Sequence, residues 1–332
     1  MELNFKYNSL DFGIDIKSHL NHINVSTVLI IGGAGSIGSN YIKQILTLSP
    51  KKIVVVDTNE NGLTELTRDL RSSKNLDYNP LYITYPVNLL SDTFNKIYNS
   101  DKWDVVANFS AHKHVRSEKD KISVEALIKN NVFGTLVLAK ASLETRVKNF
   151  VFISTDKAVR PTNVMGASKR LCEKYIQQIS SSNCNTNFSI VRFGNVLGST
   201  GSVIPLFESQ IKKGGPITIT HPKVTRFFMT IREAVELVLI SSQLTAEKNG
   251  GIFILEMGES VSIKELAKRM ITLSGKTEAE IKIEVTGLRK GEKIAEKLNF
   301  TNEEMNKTEV DGILFTKNKL YNVDFTDYGK LV

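Results

Sequence analysis

Thr27-Val28-Leu29-Ile30-Ile31-Gly32-Gly33-Ala34-Gly35-Ser36-Ile37-Gly38 is the stretch whose reading decides the fold. Thr27–Ile31 is a short apolar run that ends in glycines. Ser36–Leu48 follows with apolar residues at helical spacing: Ile37, Tyr41, Ile42, Ile45 and Leu46. The order is strand, tight turn, helix. Glycines at a three-residue spacing in that turn permit a sharp bend, a close backbone approach to a pyrophosphate, and close packing of helix on strand. The helix N-terminus adds N–H groups and a positive dipole end. A glycine string alone is a weak signal, but inside a βαβ unit it reads as a phosphate loop. Gly32, Gly35, Ser36, Ile37 and Gly38 are its candidate ligand contacts.

Working outward, Lys52–Val56 reads as a second buried strand, Asn61–Arg71 as a second helix and Leu81–Val87 as a third strand. Trp103–Phe109, Asn149–Ser154 and Phe188–Phe193 continue the strand series, with helices predicted over Val124–Leu143 and Ala167–Ser180. Such alternation implies an α/β chain, a Rossmann-type doubly wound parallel sheet covered by helices on both faces. The second strand closes on Asp57, about 20 residues beyond the loop. A carboxylate there accepts hydrogen bonds from adenosine ribose hydroxyls and repels a 2′-phosphate, which favours NAD over NADP. Asp57 also suits a helix N-cap or loop carboxylate, and Asn59 and Asn61 suit the capping role as well. Asn59 joins Asp57 as a candidate cofactor contact.

After about residue 195 the pattern changes to loops bearing Gly and Pro and shorter strands such as Ile217–Thr220. The domain reading is therefore an extension over 1–26, a dinucleotide domain over 27–195, a smaller α/β substrate lobe over 196–300 that exchanges some chain with the first, and a tail over 301–332. Ser262–Leu273 reads as a helix and Ile281–Val285 as a strand. The polar tail from Asn302 is expected to wrap the surface.

The 332 residues carry 41% hydrophobic and 23% charged side chains, the values of an ordinary globular enzyme. The net charge of +8 is spread along the chain instead of gathered in one block. It suits an anionic small substrate and gives no reason to expect nucleic acid as a partner. Val28–Ile31 is far below the ~20 apolar residues that span a bilayer. Residues 1–26 lack the pattern of a secretory signal. No transmembrane helix, no stable membrane insertion and a cytoplasmic location are expected. Cys172 and Cys184 lack metal-ligand or CxxC spacing and read as packing residues, and no metal is expected.

The densest polar stretch after a strand is Ser154-Thr155-Asp156-Lys157, followed by AVRPTNVMGASK up to Lys169. Ligands of open α/β sheets bind beyond the carboxyl ends of strands, so these residues face the cofactor crevice, and an adjacent Asp and Lys serve as acid and base. Here the sequence resembles the extended short-chain dehydrogenase/reductases, and among them the nucleotide-sugar 4,6-dehydratases of polysaccharide biosynthesis. The resemblance runs from about Thr27 to about Leu298. Its marks are GGAGSIG, the AHKHV segment at Ala111–Val115, Asn131 in NNVFGT, STDKAVRPTN, MGASK, Arg192–Val203, TRFFM at Thr225–Met229 and GLRKGEK at Gly287–Lys293.

The resemblance implies dehydration of a UDP-linked N-acetylhexosamine, usually UDP-N-acetylglucosamine, to a 4-keto-6-deoxy sugar, with NAD recycled in each turnover. It implies Lys157 as base at C5, Asp156 as acid at C6, and Thr155 near the sugar O4. Ser110, Ala111, Lys113, Asn131 and Lys169 are the further cofactor contacts it implies. His114, Asn195, Ser202, Arg226, Arg289 and Glu292 are the substrate contacts, in a homo-oligomer. The superfamily's Tyr-x-x-x-Lys pair stands here as Met165-x-x-x-Lys169. A thioether takes no proton from a hydroxyl, so the C4 base is left to Asp156 or to a water ordered by Thr155. Met165 together with an acid closing the second strand resembles the large membrane-anchored dehydratases that retain C5 configuration, here read without their membrane segment. A nucleotide-sugar epimerase and a non-catalytic NAD-binding protein are the competing readings.

Overall fold

The computed structural model describes residues 26–72, 81–114, 120–181, 185–244, 248–301 and 303–317. Residues 1–25, most of the N-terminal extension, and Cys184 lie outside them.

Strand β1 (Thr27–Ile31) leads through the glycine loop into α1 (Ser36–Leu46), and the series continues as β2 (Lys52–Asp57), α2 (Glu60–Ser72), β3 (Tyr82–Pro86), α3 (Asp92–Asn99) and β4 (Val105–Asn108). Every residue of β1 is buried. Because side chains alternate across a strand, Val28 and Ile30 pack on one face with Tyr41, Ile42 and Ile45 of α1 and Leu63, Leu66 and Leu70 of α2. Leu29 and Ile31 pack on the other with Phe94, Ile97 and Tyr98 of α3. Two-sided burial explains why β1 and β2 read as unbroken apolar runs instead of alternating ones.

Next comes one continuous helical stretch, α4 (Lys121–Glu144), whose middle, Lys129–Phe133, widens into a π turn. It is longer than the helix expected over Val124–Leu143. By length and composition alone it matches a membrane span, and half of it is buried in the fold. Val132, Leu136, Leu138 and Ala139 pack it against the sheet together with Cys172 and Ile176 of α5 (Val164–Ser180). The N-cap of α5 is Asn163, whose side chain accepts from Gly166 N, so this helix starts three residues before the expected Ala167.

Strands β5 (Asn149–Thr155), β6 (Asn187–Phe193), β11 (Ile252–Leu255), β14 (Asn306–Lys307) and β15 (Ile313–Thr316) complete a nine-stranded sheet in the order β14-β15-β11-β6-β5-β4-β1-β2-β3. It is parallel from β3 to β11 and turns antiparallel at β15, where Phe253 pairs with Phe315 and Ile254 with Leu314. The tail therefore does not simply wrap the surface. Ile313 is buried and Phe315 packs on the core, so its short apolar run is drawn into the sheet. The segment after residue 195 likewise lends β11 to the main sheet.

The smaller lobe holds α6 (Val203–Lys212), β8 (Ile217–Ile219), β9 (Thr225–Arg226), β12 (Val261–Ser262), α8 (Ile263–Leu273) and β13 (Ile283–Val285). Phe207, Ile217, Phe228, Leu266 and Ile271 lie in its own core. β7 (Asn195–Val196) pairs with β10 (Phe228–Met229) where the two lobes meet, and α7 (Ile231–Leu244) returns to the main sheet.

Candidate active site

At the end of β1, Gly32 has φ +79°, and a Cβ on it would lie 2.6 Å from Ser110 N. Only glycine lets the loop lie this close to the end of β4. A Cβ on Gly38 would meet Gly32 O at 2.5 Å, so α1 packs directly on the loop. Gly35 is different: it is exposed, and the nearest atom to a Cβ there is Gly32 O at 3.4 Å. It caps α1 with no side-chain hydrogen bond, which leaves the first N–H groups of that helix, from Ser36 and Ile37 on, open to an anion.

Asp57 closes β2 half-buried. Its Oδ2 accepts from Ala34 N at 2.9 Å and its Oδ1 from Asn59 N at 2.9 Å. The carboxylate thus ties the glycine loop to the second strand, and each oxygen keeps a lone pair for a ribose hydroxyl. Asn59 turns its Oδ1 to Gly62 N at 3.0 Å. Its side chain is the cap of α2, one of the two roles open to it from sequence.

The loop after β4 carries Ser110, Ala111, Lys113 and His114. Ser110 donates through Oγ to Asn108 Oδ1 at 2.7 Å. Lys113 Nζ donates to Thr200 O at 3.0 Å, and burial pulls its ammonium below the ordinary lysine value. Asn131 holds this loop in place. Fully buried in the π turn of α4, it accepts from His112 N at 2.8 Å and donates to His112 O at 3.0 Å and Ser168 Oγ at 3.2 Å. Every polar atom of its side chain is spent on clamping this loop to α5, which makes Asn131 a positioning residue.

The centre lies at the end of β5. Asp156 is fully buried: Oδ1 accepts from Thr155 Oγ1 at 2.9 Å and from Lys157 Nζ at 3.0 Å, while Oδ2 has no protein partner. Lys157 also donates to Asn195 Oδ1 at 3.1 Å, which brings a residue of β7 to the pair. An unpartnered buried carboxylate oxygen is costly unless a ligand meets it. Behind the pair, Lys169 sits one turn after buried Met165 on α5. It donates to Ile153 O at 2.8 Å and lies 4.5 Å over the Phe152 ring. Burial, opposed by the charge of Glu173, pushes its ammonium down to about 8. Burial likewise pushes the Cys172 thiol up to about 12, as suits a packing residue.

The lobe residues are brought together only in part. Arg226 is nearly buried and spends Nη1 on Thr225 O at 2.8 Å and Ile294 O at 3.1 Å, with Nη2 3.5 Å from Glu292 Oε1. Glu292 also accepts from Thr220 Oγ1 at 2.8 Å. Arg289 is exposed beside it. Ser202 caps α6 without a side-chain bond, its hydroxyl buried and unpartnered.

One cluster has no counterpart among the sequence-derived site residues. Arg192 on β6 is fully buried between Glu173 of α5, at 2.8 Å through both Nε and Nη2, and Glu303 of the tail, at 2.7 and 2.9 Å. Ser154, next to Thr155-Asp156-Lys157, donates to the same Glu173 at 2.7 Å. The signal in the sequence is a lone charge in the apolar strand Phe188–Phe193, since such a charge must be paired.

A doubly wound sheet, a glycine loop at its first crossover and a polar triplet at the end of β5 define the class: an epimerase/dehydratase-type Rossmann fold. The polysaccharide biosynthesis protein family matches residues 28–318, and the chain belongs to it. It is 44% identical over 282 residues to the capsular polysaccharide biosynthesis protein CapD of Staphylococcus aureus. It is 43% identical over 292 residues to the probable polysaccharide biosynthesis protein EpsC of Bacillus subtilis strain 168. These matches take in 83% and 87% of this chain but 45% and 48% of theirs, so the chain spans about half the length of these curated relatives. The X-ray structure of Pen from Bacillus thuringiensis superposes with a TM-score of 0.80 at 32% identity, covering 91% of this chain and 90% of that one. DesIV of Streptomyces venezuelae, a dTDP-glucose 4,6-dehydratase solved with NAD bound, shares the fold at a TM-score of 0.68 and 19% identity, over 82% of this chain and 88% of its own.

Proposed function

We propose that this chain carries NAD-dependent UDP-N-acetylglucosamine 4,6-dehydratase activity, a hydro-lyase reaction that yields UDP-2-acetamido-2,6-dideoxy-4-hexulose. The observation that carries the reading is the buried Asp156 in contact with Lys157 at 3.0 Å, with its second oxygen unpartnered, at the carboxyl end of β5. A C4 epimerase needs no acid for departure of a C6 hydroxyl.

The glycine loop fits a dinucleotide: Gly35 is open, the N-terminus of α1 is uncapped, and Asp57 stands at the end of β2 to take a ribose and turn away a 2′-phosphate. NAD, when bound, supplies the acceptor for the C4 hydride and returns that hydride to C6. Oxidation at C4 makes the C5 proton acidic. Lys157 removes it, and Asp156 protonates the C6 hydroxyl so that it leaves as water. Lys157 returns its proton to C5 as the hydride reaches C6, and Asp156 regains its proton from the C4 hydroxyl, so both end each turnover as they began. Lys169 holds positive charge beside the nicotinamide ribose. Met165 leaves the C4 proton to Asp156 or to a water held by Thr155, and with Asp57 it favours retention at C5. Arg226, Arg289 and Glu292 are proposed to hold the UDP end, with His114, Asn195 and Ser202 lining the path to it. A homo-oligomeric form, on the resemblance alone, and a cytoplasmic site of action, as the sequence reading expects, complete the proposal.

The test is to incubate the purified protein with UDP-N-acetylglucosamine and follow the sugar by NMR. A 4-keto-6-deoxy product is expected. A C4 epimer would select an epimerase instead, and an unchanged sugar would leave only nucleotide binding.

A further inference from the structure

Three segments distant in sequence meet over the glycine loop. Ser36 Oγ, in the first turn of α1, accepts from Thr200 N at 3.0 Å and lies 3.1 Å from Thr200 Oγ1. From the other side, Lys113 Nζ donates to Thr200 O at 3.0 Å. Thr200 stands at the crest of the turn between β7 and α6. That turn depends on positive φ at Gly198 (+69°) and Gly201 (+73°), and a Cβ on Gly201 would lie 2.9 Å from the His114 ring. The turn is thereby drawn from the loop after β4 across to the uncapped end of α1, the place where a dinucleotide pyrophosphate is received.

We propose that residues 198–202 form a strap that retains the nicotinamide dinucleotide, with Thr200 as its central positioning residue. The inference rests on the NAD reading above and gives it a kinetic property. A cofactor that takes a hydride at C4 and must return it at C6 has to stay in place between the two steps. Loss of the reduced form would strand an oxidised sugar. Opening the strap breaks the bonds of Thr200 to Ser36 and Lys113 together, so release is slow while either lobe alone remains free to adjust. Thr200 is exposed on its outer side, so changing it leaves the core untouched.

Protein loaded with NADH and chased with excess NAD, in the absence of any sugar, reports the release rate through the decay of bound-NADH fluorescence. Thr200→Val removes the Oγ1 contact and is expected to speed release about fivefold, the effect of one net hydrogen bond. Thr200→Ser restores the slow rate. Gly201→Ala, strained at φ +73° and forced away from His114, speeds release as well and melts somewhat lower, whereas both Thr200 variants melt at the wild-type temperature. Release at the wild-type rate from both Thr200→Val and Gly201→Ala overturns the strap, and so does a wild-type protein that already exchanges as fast as they do. A protein that retains NADH in this Thr200-dependent way yet forms no 4-keto-6-deoxy sugar refutes the dehydratase reading and leaves the strap standing.

Discussion

Replacing Arg192 by methionine removes the guanidinium that two buried carboxylates share. Arg192 and Glu173 are fully buried and Glu303 nearly so, with charge-assisted contacts of 2.7–2.9 Å. Breaking a buried ion pair from one side costs about 3–5 kcal/mol, because the partner charges stay buried and unpaired. At roughly 2 °C per kcal/mol for a large domain, the melting temperature falls by about 6–10 °C. The pH dependence sharpens the test. Burial alone would raise the Glu173 pKa, but the charge and hydrogen bonds of Arg192, with help from Arg170 and Ser154, hold it below the usual carboxylate value. Its contribution to wild-type stability is therefore full above the unfolded glutamate pKa and is lost as pH falls through the lower folded one. In Arg192→Met only Arg170 and Ser154 still oppose the burial, the Glu173 pKa rises, and the stability that the ionised carboxylate contributes at higher pH shrinks. The deficit of the variant must grow from pH 4.5 to pH 7.5 in urea or thermal unfolding. A variant that melts within about 2 °C of wild type, or whose deficit is flat with pH, refutes the reasoning.

Two further substitutions separate chemistry from binding. Lys157→Ala is expected to abolish product formation, a loss of at least about 100-fold for a removed general base, while NAD remains bound by fluorescence titration. Near-normal turnover removes Lys157 from the role of C5 base. Asp57→Ala, by deleting the ribose acceptor and the repulsion of a 2′-phosphate, is expected to bring the NAD and NADP dissociation constants within about tenfold of each other. Unchanged discrimination takes Asp57 out of the cofactor site.

What could be read from the sequence follows from the range of each interaction. The β1 run and the apolar spacing in α1 are local patterns, and each specifies its own element, so the doubly wound sheet was legible from them. Asp156 and Lys157 are neighbours in the chain, so their pairing was legible too. By contrast, Ile313–Thr316 is a four-residue run in a polar tail, and only the presence of β11 some 60 residues earlier gives it a partner. Asn131 looks like any polar helix residue until the π turn aims it at His112 and Ser168. Arg192 stands between these extremes. A guanidinium in an apolar strand announces that carboxylates must lie beside it, but Glu173 is 19 residues away and Glu303 is 111, and nothing local selects them. Thr200 gives no such warning, since a small polar residue in a glycine-rich turn is ordinary. Its partners Ser36 and Lys113 come from the first turn of α1 and from the loop after β4. A sequence reading therefore finds residues whose chemistry is concentrated in one segment. It misses those whose role is to hold segments together, because that role exists only once the topology has brought them into contact.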